Sequence, residues 1–192
     1  MPKKSAAVIY LASQSPRRRE ILKEMRVPFR VVPSVYEEKI VSNMSPDQLA
    51  MWHAASKARY AQAPKQARFV LGADTIVVMD EHILGKPESM EHARRMLGLL
   101  SGKAHFVLTA ISIFDHKTHS ILTGCAVTKV FFKKLSGKDI SNYLAKVNPL
   151  DKAGAYAIQE GPKIVKKIEG SYSNVVGLPK ELLRELLKDL EK

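Results

Sequence analysis

The 192-residue chain has a single cysteine, Cys125, so no disulfide can close within it. Cys125 lies in the strand-like run "ILTGCAVTKVFF", where a thiol acts as a small hydrophobe, and a reducing, cytoplasmic setting fits. No apolar run approaches the roughly 18 to 20 residues that span a bilayer, and the apolar part of "MPKKSAAVIYLAS" is short for a secretory signal. A soluble chain with no membrane partner is expected. Acidic residues are also scarce: 19 Asp and Glu stand against 31 Lys and Arg, a formal net charge of +12. Such an excess draws polyanions, whether nucleic acid or a phosphorylated small molecule. The lysines of "KKLSGK" and "KIVKK" are scattered, and zinc-finger spacing and RRM aromatics are missing, which disfavours nucleic acid. His53, His82, His92, His105, His116 and His119 form no H-E-x-x-H arrangement and none stands beside a Ser or Cys nucleophile motif, so zinc and serine hydrolases find no support. "GKP" is not a Walker A loop, and no repeat, low-complexity tract or linker breaks the chain.

What is present reads as one ordinary domain, 45% hydrophobic and 26% charged, long enough to bury a core without staples. "AVIYLAS" predicts a buried strand running into a helix "SPRRREILKEM", with Ser15 at the cap and Pro16 at the first helical position. "PFRVVPSV" predicts a second strand, and "SPDQLAMWHAASKARYAQ" a helix with an apolar stripe at Leu49, Trp52, Ala55 and Ala58. "RFVLGADTIVVMD" is the strongest strand signal, interrupted at Gly72-Ala73 as if the backbone bends there or something approaches it closely. "SMEHARRMLGLLSG" predicts an amphipathic helix; "AHFVLTAISIFD" and "CAVTKVFFKKL" predict a hairpin with a long or bulged connection through "HKTHSILTG". "SGKDISNYLAKV" and "PKELLRELLKDLEK" predict helices and "IVKKIEG" a strand. Strands alternating with helices, plus a hairpin, give an α/β fold with a mixed sheet and a cleft.

Four stretches could carry chemistry. In "LASQSPRRREIL" a helix N-terminus offers unpaired N–H groups, Ser13 a hydroxyl, and Arg17 and Arg18 forked charge, a plausible phosphate cradle. Three arginines in a first helical turn oppose the helix dipole, which an anion would relieve; otherwise they are solvated and Ser15 only caps. Asp74 in "GADTIVV", beside Thr75, suits a metal ligand or a base for water, and equally a carboxylate that holds a turn. Lys57 and Lys86 could hold phosphate as point charges or be solvated. In "DKAGAYAIQEG" small residues admit a close ligand or a tight backbone crossing, and Gln159 could read a base edge or satisfy local amides. Asn174 in "YSNVVGLP" could do no more than fix a loop.

Together, "LASQSPRRREIL", Glu37-Glu38, "SKA", "LGADTIVV", "ILGKP", "ARRMLGLLSGKAHFVLT", "PLDKAGAYAIQ" and "IEGSYSNVVGLP" resemble the Maf family of nucleotide pyrophosphatases, in the family's order from Leu11 to Pro179. The resemblance implies a Maf- and ITPase-like fold over residues 1–192: a mixed twisted sheet flanked by helices, two-lobed with a central cleft. It implies house-cleaning hydrolysis of a nucleoside triphosphate to the monophosphate and pyrophosphate, by water attacking the α-phosphorus with a divalent cation, Mg2+, Mn2+ or Co2+. Ser13, Arg17, Arg18, Lys57 and Lys86 then bind phosphates, Glu38 and Asp74 hold the metal, and Asp74 is the base that activates water. "GADT" and "DKAGAYAIQ" are similar to the branch acting on dTTP and UTP, with Arg17, Thr75 and Gln159 as specificity positions. Glu160-Gly161-Pro162 departs from the glycine-richer turn more common in members. A homodimer stays open, as does a runner-up of another class: a basic protein that binds nucleic acid or division machinery without turnover.

Overall fold

A computed structural model describes residues 7–39, 43–80 and 82–190. Ile9–Leu11 (β1) is apolar and wholly buried, as a strand covered on both faces must be. It pairs in parallel with Phe29–Val31 (β2) on one side and Phe69–Met79 (β3) on the other, Ile9 facing both Phe29 and Phe69. His82–Leu84 (β4) turns back antiparallel on β3. Ala104–Asp115 (β5) and Ser120–Phe132 (β6) follow, and Val165–Glu169 (β7) pairs antiparallel with β6. The seven-stranded order is β2-β1-β3-β5-β6-β7 with β4 on β3, a mixed sheet as the pattern predicts. The helices are Pro16–Glu24 (α1), Pro46–Arg59 (α2), Met90–Leu100 (α3), Gly137–Leu144 (α4), Tyr172–Val176 (α5) and Lys180–Asp189 (α6). None of the described helices is long and apolar enough to cross a membrane.

The chain packs as two compact units. One runs to Asp74 and takes in Ala110–Cys125 and the segment from Lys180; the other comprises Thr75–Thr109 and Ala126–Pro179. The first buries Tyr10, Val32, Ala58 and Val70 together. In the second, Leu97, Leu100, Val130, Tyr143 and Ala155 meet in one core.

Four local expectations are corrected. β3 passes through Gly72-Ala73 without a break, so of the two readings there only close approach holds: a Cβ on Gly72 would lie 2.1 Å from the Ala54 carbonyl oxygen and 2.7 Å from the Ala58 nitrogen of α2. The buried stripe of α2 is Leu49, Ala50, His53, Ala54, Ser56 and Ala58, while Trp52 is 50% exposed, because the helix packs its small residues on β3 and turns the indole outward. The β5–β6 connection is the short turn after Asp115, since "SILTG" belongs to β6; His119 there takes a left-handed φ of 57°. Ser15 does occupy the cap position of α1, yet its side chain makes no capping hydrogen bond.

Candidate active site

The turn from β1 to α1 is built around Ser13. Its Oγ accepts from the Ser15 amide at 3.3 Å and from Arg18 Nη1 at 3.0 Å, so the arginine folds back over the helix mouth. The first turn of α1 carries no acidic residue, so the positive end of the helix dipole is not answered by a carboxylate of the helix itself. Arg17 and Arg18 are partly buried and Arg19 is exposed, as the rotation of about 100° per residue requires. Burial pushes the Arg18 guanidinium below its ordinary value, and Arg17 adds to that; the carboxylates of Asp74 and Glu38 pull the other way.

Lys57 links the other groups. Its Nζ lies 2.6 Å from Asp74 Oδ1 and 2.7 Å from Glu38 Oε1. Gly72 explains how the lysine reaches the strand. Gly72 and Asp74, two apart on β3, share a face, and the missing Cβ lets α2 settle against that face with Lys57 beside Asp74. Glu38 arrives on an extended segment tied to the same helix: Val35 N donates to the Tyr60 carbonyl at 3.2 Å, Tyr36 stacks on Tyr60, and the Tyr36 hydroxyl bonds His53 Nδ1 at 2.8 Å. His53 precedes Lys57 by one helical turn, so both face the segment. Tyr36 and His53 were not among the sequence candidates; the spacing of His53 to Lys57 was the one signal available.

Six expected residues, Ser13, Arg17, Arg18, Glu38, Lys57 and Asp74, thus form one connected charge cluster. Asp74 is 6% exposed, with its Oδ1 on Lys57 and the Arg18 guanidinium acting on the same carboxylate. A carboxylate oriented through one oxygen can take a proton on the other. Glu38 and Asp74 offer hard oxygens on either side of Lys57, a donor set that suits a divalent cation completing its shell with phosphate and water. Among the described residues no group of three His, Cys, Asp or Glu side chains is placed for a metal.

The remaining candidates lie in the second unit. Lys86 is exposed on the loop after β4, which is pinned where the Gly85 carbonyl accepts from Gly154 N at 3.0 Å. Gly154, at φ 67°, also sits against Val77, so a tight backbone crossing is present in "DKAGAYAIQEG". Gln159 is exposed, its Nε2 3.3 Å from Glu160 Oε1. Glu160 in turn meets Lys152 Nζ at 3.2 Å, a 5% exposed ammonium that also binds the Asn148 carbonyl at 2.7 Å. Thr75 Oγ1 lies 3.0 Å from Thr109 Oγ1, which donates to the Asn174 carbonyl at 2.9 Å. Asn174 is fully buried; its Nδ2 donates to the Val107 carbonyl and to Thr128 Oγ1, each at 2.9 Å. It fixes far more than a loop. Cys125 is half-buried, and burial, with the charges of Asp47 and Asp74, pushes its thiol up to about 11, which keeps it protonated and inert at neutral pH.

The fold and the cluster define an α/β protein that gathers cations around two acidic side chains at a strand-to-helix turn. The family model described as Maf-like protein matches residues 8–190, and the chain belongs to that family. It is 48% identical over 172 residues, 89% of each chain, to a protein of Citrifermentans bemidjiense named dTTP/UTP pyrophosphatase. Proteins with the same name from Geobacter metallireducens, 45% identical over 99% of this chain and 97% of the relative, and from Bacillus velezensis, 43% identical over 94% and 95%, are similarly related.

Proposed function

We propose that the chain hydrolyses dTTP and UTP to the monophosphate and pyrophosphate, acting in the cytoplasm as one nucleotide pyrophosphatase domain. The observation that carries this is Lys57 held between Asp74 and Glu38 next to the Ser13–Arg18 turn. The names of the relatives supply the substrate class. Ser13, Arg17, Arg18, Lys57 and Lys86 bind the triphosphate and neutralise it. Asp74 Oδ2 takes a proton from water as the water oxygen bonds to the α-phosphorus; the bond from that phosphorus to the bridging oxygen breaks, and pyrophosphate leaves with the electron pair. Phosphoryl transfer of this kind depends on position and charge, with no covalent nucleophile. Glu38 and Asp74 would hold a divalent cation, Mg2+, Mn2+ or Co2+, which when bound supplies further neutralisation of the triphosphate.

Arg17, Thr75 and Gln159 are assigned to base choice. A uracil-type edge presents two acceptors and one donor, and a glutamine amide can answer both. The test is kcat/KM for dTTP, UTP, CTP, ATP and GTP at fixed metal and salt. Pyrophosphate release led by dTTP and UTP is expected. A preference for GTP overturns the substrate assignment, and salt-sensitive DNA binding without turnover overturns the enzyme in favour of a nucleic-acid-binding protein.

A further inference from the structure

The basic segments "KKLSGK" and "KIVKK" play no part in the proposed catalysis, yet the fold brings Lys133 and Lys134 of the first and Lys163 of the second to one place. A groove of about 480 Å³ in the second unit is lined by Lys133, Lys134, Lys146 and Lys163, over an apolar floor that includes Leu135 and Ile164. Its volume is that of a small-molecule site. None of the residues assigned to catalysis or base choice lines it. All four lysines are exposed, and none makes an ion pair among the described residues. The one acidic group at the groove, Asp139, is engaged in capping α4: its Oδ2 accepts from Ser136 N at 2.8 Å and from Ser136 Oγ at 2.7 Å. Those bonds, and Lys138 beside them, hold its carboxyl below the usual range despite burial acting the other way, so it stays an anion committed to the helix start.

The walls are fixed by backbone bonds. Lys133 N donates to the Ile164 carbonyl and its own carbonyl accepts from Gly102 N, both at 2.9 Å; Leu135 N donates to Ser101 Oγ at 2.7 Å. The chain ahead of Lys163 presses on the end of α4 and the turn after it, where a Cβ on Gly161 would lie 3.4 Å from the Tyr143 ring and 2.5 Å from the Val147 side chain. Like charges convergent on a preformed concavity raise the potential within it, and a multiply charged anion relieves them. Lysine holds phosphate as a point charge. No aromatic side chain lines the groove, so the stacking surface that single-stranded nucleic acid uses is lacking.

We propose that this groove is a second anion site that binds a polyphosphate, free or carried by a nucleotide, through Lys133, Lys134, Lys146 and Lys163. The test uses the full chain, and a variant with all four lysines changed to Gln, titrated with inorganic tripolyphosphate, with a methylene-bridged dUTP analogue and with a short single-stranded oligodeoxynucleotide. Amide resonances of residues 133–135 and 163–164 report the groove, and this readout does not depend on turnover. Saturable shifts there with tripolyphosphate or the analogue, weakened about tenfold or more in the variant, are expected, with dTTP turnover within about twofold of wild type. Tighter binding of the analogue would identify a nucleotide as the source and tighter binding of tripolyphosphate a free polyphosphate. Unchanged binding in the variant, or no shifts at these residues, overturns the site. So does an oligonucleotide that binds through the same lysines more tightly than either polyphosphate.

Discussion

Asp74 and Thr75 are consecutive on β3 and their side chains leave by opposite faces, into regions built on opposite plans. Asp74 enters a charged cluster in which Lys57 serves two carboxylates. Thr75 enters a neutral hydrogen-bonded network, Thr109, Asn174 and Thr128, in which Asn174 Oδ1 is the buried atom left without a partner among the described residues. A cluster of opposite charges can exchange partners with a charged substrate, whereas hydrogen-bonded neutral polarity costs less to bury and specifies one arrangement. The first region is expected to govern rate and the second to govern stability.

The sharpest way to break that contrast is Asp74→Asn. Turnover should fall at least about a hundredfold, some 2.7 kcal/mol of barrier, while thermal unfolding barely moves because Lys57 keeps Glu38. Turnover within about tenfold of wild type would remove Asp74 as the base. The mirror experiment is Asn174→Ala, which removes the bonds to the Val107 carbonyl and Thr128 Oγ1 and leaves a cavity in their place. It should cost about 2 to 3 kcal/mol of stability by denaturant unfolding. Its kcat, measured where the variant is folded, should change by less than about threefold. A loss of rate without a loss of stability would place Asn174 in the chemistry.

Acid tests the second unit in another way. His105 is 1% exposed against Phe132 and Tyr156, and burial pushes its imidazole down to about 4. The unfolded chain binds this proton near pH 6.5, so the stability is complete above that value and is lost as pH falls toward 4. Between pH 7 and pH 5 about 2 kcal/mol should disappear, and His105→Phe should flatten that part of the curve. A smaller effect separates the arginines: Arg18→Ala, like Arg17→Ala, should lower kcat/KM about tenfold or more, and Arg19→Ala less than about twofold. Equal, small losses would mean a solvated cluster. The smallest effect belongs to Gln159→Ala. Because the amide is exposed, its loss orphans no buried partner, and a loss of about two- to fivefold on dTTP and UTP is expected, with less on purines. Equal losses on every base would end its role as reader.

Short-range chemistry was legible in the sequence. The strand, Ser13, proline and arginines of the first turn are neighbours along the chain, and the turn holds them together as their spacing predicts. Lys57 and Asp74 could be nominated singly, but their 2.6 Å contact depends on which face of α2 meets β3. The stripe through Trp52 misjudged that face, because small alanines, and not the largest apolar side chain, fit against Gly72. Tyr36 and His53 carry no motif. The Thr75–Thr109–Asn174–Thr128 network joins residues that only the pairing of distant segments brings together, and hydroxyls on strands look alike whether they are buried or solvated.

Gly72 gives the site a property that no side chain in it possesses. A lysine stem is floppy, with four carbons that rotate freely, so an ammonium on its end should wander. Here the backbone of α2 rests directly on the strand, with no room for even a methyl group between them. The root of Lys57 therefore moves only as far as that joint flexes, and most of the stem's slack is removed before substrate arrives. Much of the site's stiffness is inherited from a backbone-to-backbone seat formed by an absent atom.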